Sequence, residues 1–393
     1  MASLHLHMWL SLLLLLFHFI FLLKKKLNSK HLPPSPPRLP IIGNLHQLGA
    51  LPHYSLWQLS KKYGPVMLLQ FGRVPTVIIS SAEAAKELFK ANDLNSCSRP
   101  RLAGTGRLSY SYLDIALIPY GDYWREMRNI CVLQLFSAKR VQSFQSIREE
   151  EVRFLIDSIL KSSSASSSPV HLSEKTLSLT ANVTCRVAFG ESFQERGLAH
   201  ERFQENIFIA GVDTGAIVLV WAMAELVRNP RAMRKAQEEI RTLLGNKTKV
   251  SETDIDKLEY LKMVLKETMR LHPPGTLLIP RETMSQFSIN GYEIHPKTRI
   301  QVNVWAIGRD PKTWKNPEEF FPERFIDNSI DFRGQNYELL PFGGGRRGCP
   351  GITMGLALVE LALANLLFCF DWKVPNNMEA EINMEEIFWS YYS

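Results

Sequence analysis

The stretch Pro341–Gly351, PFGGGRRGCPG, constrains the fold of this 393-residue chain more than any other. Its glycines let backbone pass close to a bulky neighbour. Arg346 and Arg347 add positive charge, and Cys349 adds one thiol. The apolar sequence GITMGLALVELALANLLF begins at Gly351 and reads as a helix that carries the loop into a core.

A lone thiolate can attack a substrate, bind a metal or stay inert. No protease-like pattern surrounds Cys349. An iron–sulfur cluster needs more cysteines than lie nearby, and a phosphate loop ends in Gly-Lys-Ser/Thr rather than Gly348-Cys349. One sulfur without a companion ligand suits a metal that brings its other ligands, as haem does. Glycine amides can then point at the sulfur, and arginine can answer the anionic propionates.

The N-terminus sets the compartment. Leu4–Leu23 is almost wholly apolar and is followed by Lys24, Lys25 and Lys26. As a helix at about 1.5 Å per residue it reaches about 30 Å, one hydrocarbon core. The small residues of a cleaved signal are lacking near its end, and the lysines place the chain beyond them in the cytosol. Residues 1–26 therefore read as an uncleaved signal anchor, and residues 27–49 as a proline-rich hinge, stiff and extended without helix or sheet hydrogen bonds. Residues 50–393 form the remaining domain. Cytosolic thiols stay reduced, so Cys97, Cys131, Cys185, Cys349 and Cys369, odd in number and without a CxxC pair, predict neither disulfides nor structural zinc. The net charge of +7 has no long basic block. It predicts no nucleic-acid partner and suits a membrane surface, an acidic partner or simply a solvated basic surface.

Further along, VMLLQFGRVPTVIIS (66–80) predicts two strands around a turn, and SAEAAKELFKAN (81–92) a serine-capped helix. Residues 138–161 read as one long helix, FSINGYEI (287–294) as a tight Asn-Gly hairpin, and TRIQVNVWAI (298–307) as a strand. The sum is mainly α with small β-sheets.

Phe342, Gly345, Arg347, Cys349 and Gly351 match the F-x-x-G-x-R-x-C-x-G haem loop of the cytochromes P450. Glu267 and Arg270 form the E-x-x-R pair, Arg324 in PERF resembles its third member, and AGVDT (210–214) resembles the oxygen-binding segment of the central helix. Trp124 and Arg128 are similar to the W-x-x-x-R that meets haem propionates. Singly, each has a plain reading: a solvated i,i+3 ion pair, a surface cation–π pair, a threonine bonding back into its own helix. Gly211, costly in a helix by about 1 kcal/mol, asks for a reason, such as a groove for oxygen. Five motifs in family order, with the anchor and hinge, make the chain resemble plant A-type microsomal cytochromes P450.

The resemblance implies haem b (iron protoporphyrin IX) with Cys349 as axial ligand, and Trp124, Arg128, Phe342, Gly345, Arg347 and Gly351 around it. Asp213 and Thr214 would relay protons, and Glu267, Arg270 and Arg324 would form a structural network. It implies a monooxygenase of secondary metabolism that transfers one atom of molecular oxygen to a small lipophilic plant metabolite. Its site would be the endoplasmic reticulum membrane, single-pass, with the catalytic domain cytosolic. No G-x-G-x-x-G is evident, so electrons would come from a partner, which the resemblance implies is an NADPH–cytochrome P450 reductase. The family pattern is also incomplete. About a hundred residues that form the roof helices are missing between about 190 and 207, the C-terminal strands are replaced by IFWSYYS, and Gly215 stands where threonine or serine is usual. A non-catalytic, membrane-anchored remnant is thus the second reading. A haem-thiolate isomerase or dehydratase is a third, disfavoured by Asp213-Thr214.

Overall fold

The computed structural model describes residues 31–102, 111–165, 169–190 and 209–373, together with Trp9, Gly104, Gly106 and Ser109. The expected anchor (apart from Trp9), the expected junction between about 190 and 207 and residues 374–393 lie outside the described residues.

Helix α1 (Pro52–Tyr63) leads into β1 (Val66–Phe71) and β2 (Val74–Ile79), which pair antiparallel from Val66↔Ile79 to Phe71↔Val74. Helix α2 (Ala82–Lys86) starts as expected: the Ser81 hydroxyl accepts the Ala84 N–H at 3.3 Å. After β3 (Arg281–Glu282) come β4 (Phe287–Ile289) and β5 (Tyr292–Ile294), joined by Asn290 and Gly291 at φ 50° and 77°. Both values suit the tight hairpin turn that Asn-Gly encodes. Strand β6 (Arg299–Val302) then pairs parallel to β2 and antiparallel to β3, giving the sheet order β1-β2-β6-β3.

Two expectations need correction here. The strand expected over 298–307 stops at Val302. Buried Asn303 accepts the Ala306 N–H at 3.0 Å, donates to the His53 carbonyl at 2.8 Å, and starts a helical turn, Val304–Ile307. A side-chain cap thereby overrides β-forming composition. The hinge is also not purely extended over its second half. Leu39 and Gly43 exchange backbone hydrogen bonds at 3.0 Å, and Leu45–Gln47 form a 3-10 turn. Prolines leave carbonyls without neighbouring donors, and Asn44 supplies one to Pro37 at 3.2 Å while accepting Gln70 N–H at 2.8 Å.

The helical layer comprises α3 (Asp122–Cys131), α4 (Gln145–Ala165), α5 (Leu172–Phe189), α6 (Ile209–Arg228), α7 (Pro230–Leu244), α8 (Glu259–Leu271) and α9 (Ile352–Cys369). The long helix expected over 138–161 is broken at Phe144, between Ala138–Ser143 and α4. Leu361, Leu363, Leu366 and Leu367 of α9 are fully buried against the same core as Leu219 of α6, Ile240 of α7 and Leu261 of α8. Each such leucine contributes about 1.5–3 kcal/mol through burial. Among the described residues α9 alone is long and apolar enough to cross a membrane. Its packing makes it the core helix onto which the Cys349 loop opens.

Glu360 of α9 is half-buried, and burial pushes its carboxyl up to about 7 from 4.5. The folded value lies above the unfolded one, so the folded state keeps a proton that the unfolded state has lost. Stability falls as pH rises from about 4.5 through 7. Glu360→Gln lacks that titration. Its melting temperature should gain on the native chain between pH 5 and pH 8, by an amount worth about 2–3 kcal/mol. A parallel pH dependence of the two melting curves would contradict this.

Candidate functional site

The loop before α9 is wound tightly. The Cys349 N–H donates to the Phe342 carbonyl at 2.9 Å, and the Gly348 N–H to the Gly345 carbonyl at 3.0 Å. Gly345 has φ +64°, in the left-handed region that glycine tolerates. Phe342 meets Phe332 edge-on at 5.7 Å, and Gly351 caps α9. The Cys349 residue is exposed, facing a cavity of about 420 Å³ whose lining includes Arg128, Gly344, Gly345 and Gly348. The surrounding protein pushes its thiol up through desolvation, opposed by the Gly351 N–H and the Arg128 charge.

Arg128 and Trp124 sit one turn apart on α3. Trp124 is buried, donates to the Ile115 carbonyl at 3.1 Å, and has two guanidiniums over its ring, Arg347 at 4.1 Å and Arg128 at 5.6 Å. Arg128 donates to the Gly348 carbonyl at 2.8 Å, next to Cys349. Arg347 donates to the carbonyls of Cys97 at 2.8 Å and Ile118 at 2.7 Å. Its Nη1 is buried with no hydrogen-bond partner among the described residues. An unanswered buried donor is costly, and an anionic group such as a carboxylate would satisfy it. The donor set (one thiol, two converging arginines, glycine backbone) therefore fits a haem with its propionates.

Glu267, Arg270 and Arg324 come together as a buried network. Arg270 is bidentate to Glu267 at 2.8 and 2.9 Å, and Arg324 adds a third bond at 2.8 Å. Both members of the Glu267–Arg270 pair are fully buried. Arg270 also donates to the carbonyls of Gly308, Pro317 and Glu319. The end of α8 is thereby tied to the long connection that leads to the Cys349 loop.

Asp213 and Thr214 lie half-buried on α6 and are not among the residues lining the cavity that reaches Cys349. Burial raises the Asp213 carboxyl above its ordinary value. Helix α6 packs between α5 and α9. A side chain at Gly215 would lie 3.1 Å from Thr180 and 3.9 Å from Val359, whereas one at Gly211 would make only ordinary contact with Thr184 at 3.6 Å. The tighter packing demand thus falls on Gly215. Lower on α6, Glu225 bonds His272 at 2.7 Å, and Trp221 stacks on the His272 ring at 3.9 Å. Neither this cluster nor the buried pair Asp93–Arg281 beside the loop carries a local sequence signal.

A family model described as Cytochrome P450 matches the chain over residues 33–207 and 202–390. Relatives from Arabidopsis thaliana extend the match. Cytochrome P450 71B36 is 48% identical over 457 aligned positions, covering 92% of this chain and 91% of the relative. Cytochrome P450 71B34 is also 48% identical, covering 93% and 92%, and cytochrome P450 71B35 is 46% identical, covering 97% and 95%. The mainly helical fold, its cysteine loop and these matches define a haem-binding monooxygenase class, and the chain belongs to the cytochrome P450 family. Within that family it is a plant P450 of the 71 type.

Proposed function

We propose that this chain holds haem b through the Cys349 thiolate and activates molecular oxygen with electrons from NADPH, delivered by a cytochrome P450 reductase. Its substrates are small lipophilic plant metabolites, and residues 1–26 anchor it in the endoplasmic reticulum membrane with the domain in the cytosol. The observation that carries this reading is the Cys349 loop with its orphaned Arg347 Nη1. When bound, haem supplies an iron centre for oxygen activation, and a thiolate ligand favours O–O cleavage.

The chain's own residues do the remaining work. The Gly351 N–H and Arg128 stabilise negative charge on the sulfur. Arg347 and Arg128 offer guanidinium donors to carboxylates. Asp213, kept protonated to higher pH by burial, stores a proton that Thr214, its neighbour on α6, can pass on. Glu267, Arg270 and Arg324 hold the scaffold. The cavity facing Cys349 is also rimmed by Lys90 and Arg333, which suits an acidic reductase surface.

We further propose that the family segment between about 190 and 207 is missing, and the roof helices with it. Supporting this, an alignment of 457 positions is longer than the 393-residue chain, and the two family matches meet at residues 202–207. A roof excludes water, which strengthens electrostatics at a site and suppresses side reactions. Without it, most reducing equivalents should leave as hydrogen peroxide or superoxide, and oxygenated product should be minor. The test compares NADPH consumed, peroxide formed and product released in membranes that contain the reductase. Tight coupling to one substrate would contradict the open-roof reading. NADPH consumption no higher than in membranes lacking the chain would favour the non-catalytic remnant.

A further inference from the structure

We infer that Asp93 is a positioning residue for the Cys349 loop, clamping the loop backbone through Arg281 and Arg346. The inference rests on the reading of Cys349 as the haem ligand. Asp93 opens the short turn Asp93–Ser96 and is only 5% exposed. Its carboxylate accepts three hydrogen bonds from two distant segments: Arg281 Nη1 at 2.8 Å, the Arg346 backbone N–H at 3.0 Å and Arg346 Nη1 at 2.9 Å.

Arg281 is itself buried, and its Nη2 donates to the Gly344 carbonyl at 2.8 Å. One ion pair therefore grips the loop on both sides of Gly345, by the carbonyl before it and the amide after it. The approach is close: a Cβ on Gly345 would stand 2.2 Å from Asp93 Oδ1. The Phe89 ring supports the same place, 3.1 Å from where a Gly344 side chain would begin and 4.6 Å beneath the Arg281 guanidinium. From there the hold passes along the loop, through Gly345 O to the Gly348 N–H, and so to Cys349. Burial pushes the Asp93 carboxyl up, but Arg281 and Arg346 outweigh it and bring it below the ordinary value, so the clamp is ionised.

Asp93 is not itself among the residues lining the cavity that reaches Cys349, but it packs against Gly345, which is, so it acts through the loop. Breaking a buried charge pair costs well above the about 1.4 kcal/mol that equals a tenfold change. In Asp93→Asn, amide hydrogen exchange at Arg346 and Gly348 should therefore accelerate at least about tenfold. Exchange in α7, remote from the loop, should stay unchanged. This readout does not need haem. In the haem-loaded full chain the same variant should lose haem at least about tenfold faster and shift its reduced carbon monoxide spectrum away from the thiolate type. Asn44→Ala, which loosens the hinge on the far side of the sheet, should lower the melting temperature without either effect. Arg346→Gln removes one contact from a half-exposed side chain and, if Asp93→Asn fails to fold, should still speed exchange at Gly348 about threefold.

Unchanged loop exchange in Asp93→Asn, or in Arg346→Gln where that variant must serve, would overturn the inference. So would loss of the thiolate spectrum in Asn44→Ala in proportion to its melting temperature. Absence of a thiolate spectrum from the native chain would sink the Cys349 reading instead, leaving the exchange data to decide the clamp.

Discussion

Arg270→Leu is expected to be unstable and haem-poor. The substitution leaves Glu267 fully buried with Arg324 as its remaining charged partner. It also strips donors from the carbonyls of Gly308, Pro317 and Glu319. Breaking a buried pair costs about 3–5 kcal/mol, a large share of the about 5–15 kcal/mol that a domain has in total. The packing has no slack, since a Cβ at Gly308 would lie 2.4 Å from the Arg270 carbonyl. Denaturant unfolding, followed with haem content in the purified membrane fraction, checks the result. Normal melting and normal haem loading in Arg270→Leu would show that the network is dispensable.

Cys349→Ala should behave in the opposite way. Cys349 is exposed, its backbone N–H donates to the Phe342 carbonyl, and its sulfur, among the described residues, accepts only the Gly351 N–H. Alanine keeps the backbone bond, so stability should change by no more than about 0.5 kcal/mol, as for other exposed positions. The thiolate signature in the oxidised absorption spectrum should vanish completely. The two variants together separate scaffold from ligand. One loses fold and haem in step, while the other keeps the fold and loses only the iron–sulfur bond. A thiolate signature retained in Cys349→Ala would assign the ligand elsewhere, with Cys131, the cysteine near Arg128, next to examine.

Features set by short spacing were legible in the sequence. Asn290-Gly291 encodes its hairpin because only a few residues tolerate positive φ. Glu267 and Arg270 meet because three residues separate neighbours on one helix face. The Phe342–Gly351 pattern is local, and its backbone bonds close within the loop itself. What escaped depends on long-range contact. Asp93 meets Arg346 across 253 residues of sequence, and Glu225 meets His272 across 47. No periodicity reports such pairs. The strand expected beyond Val302 failed for a different reason: Asn303, read as a strand residue, found a helical N–H to cap and a carbonyl in α1 to bind. Gly215, a departure from the usual residue, gained its physical sense only when Thr180 of α5 was seen beside it.

The most direct test of the central claim is the reduced carbon monoxide difference spectrum of the native chain, expressed in membranes and supplied with haem. A cysteine thiolate as axial ligand is expected to give the thiolate-type band, in an amount matching the haem bound. Haem bound without that band, or no haem bound at all, would contradict the assignment of Cys349 as its ligand.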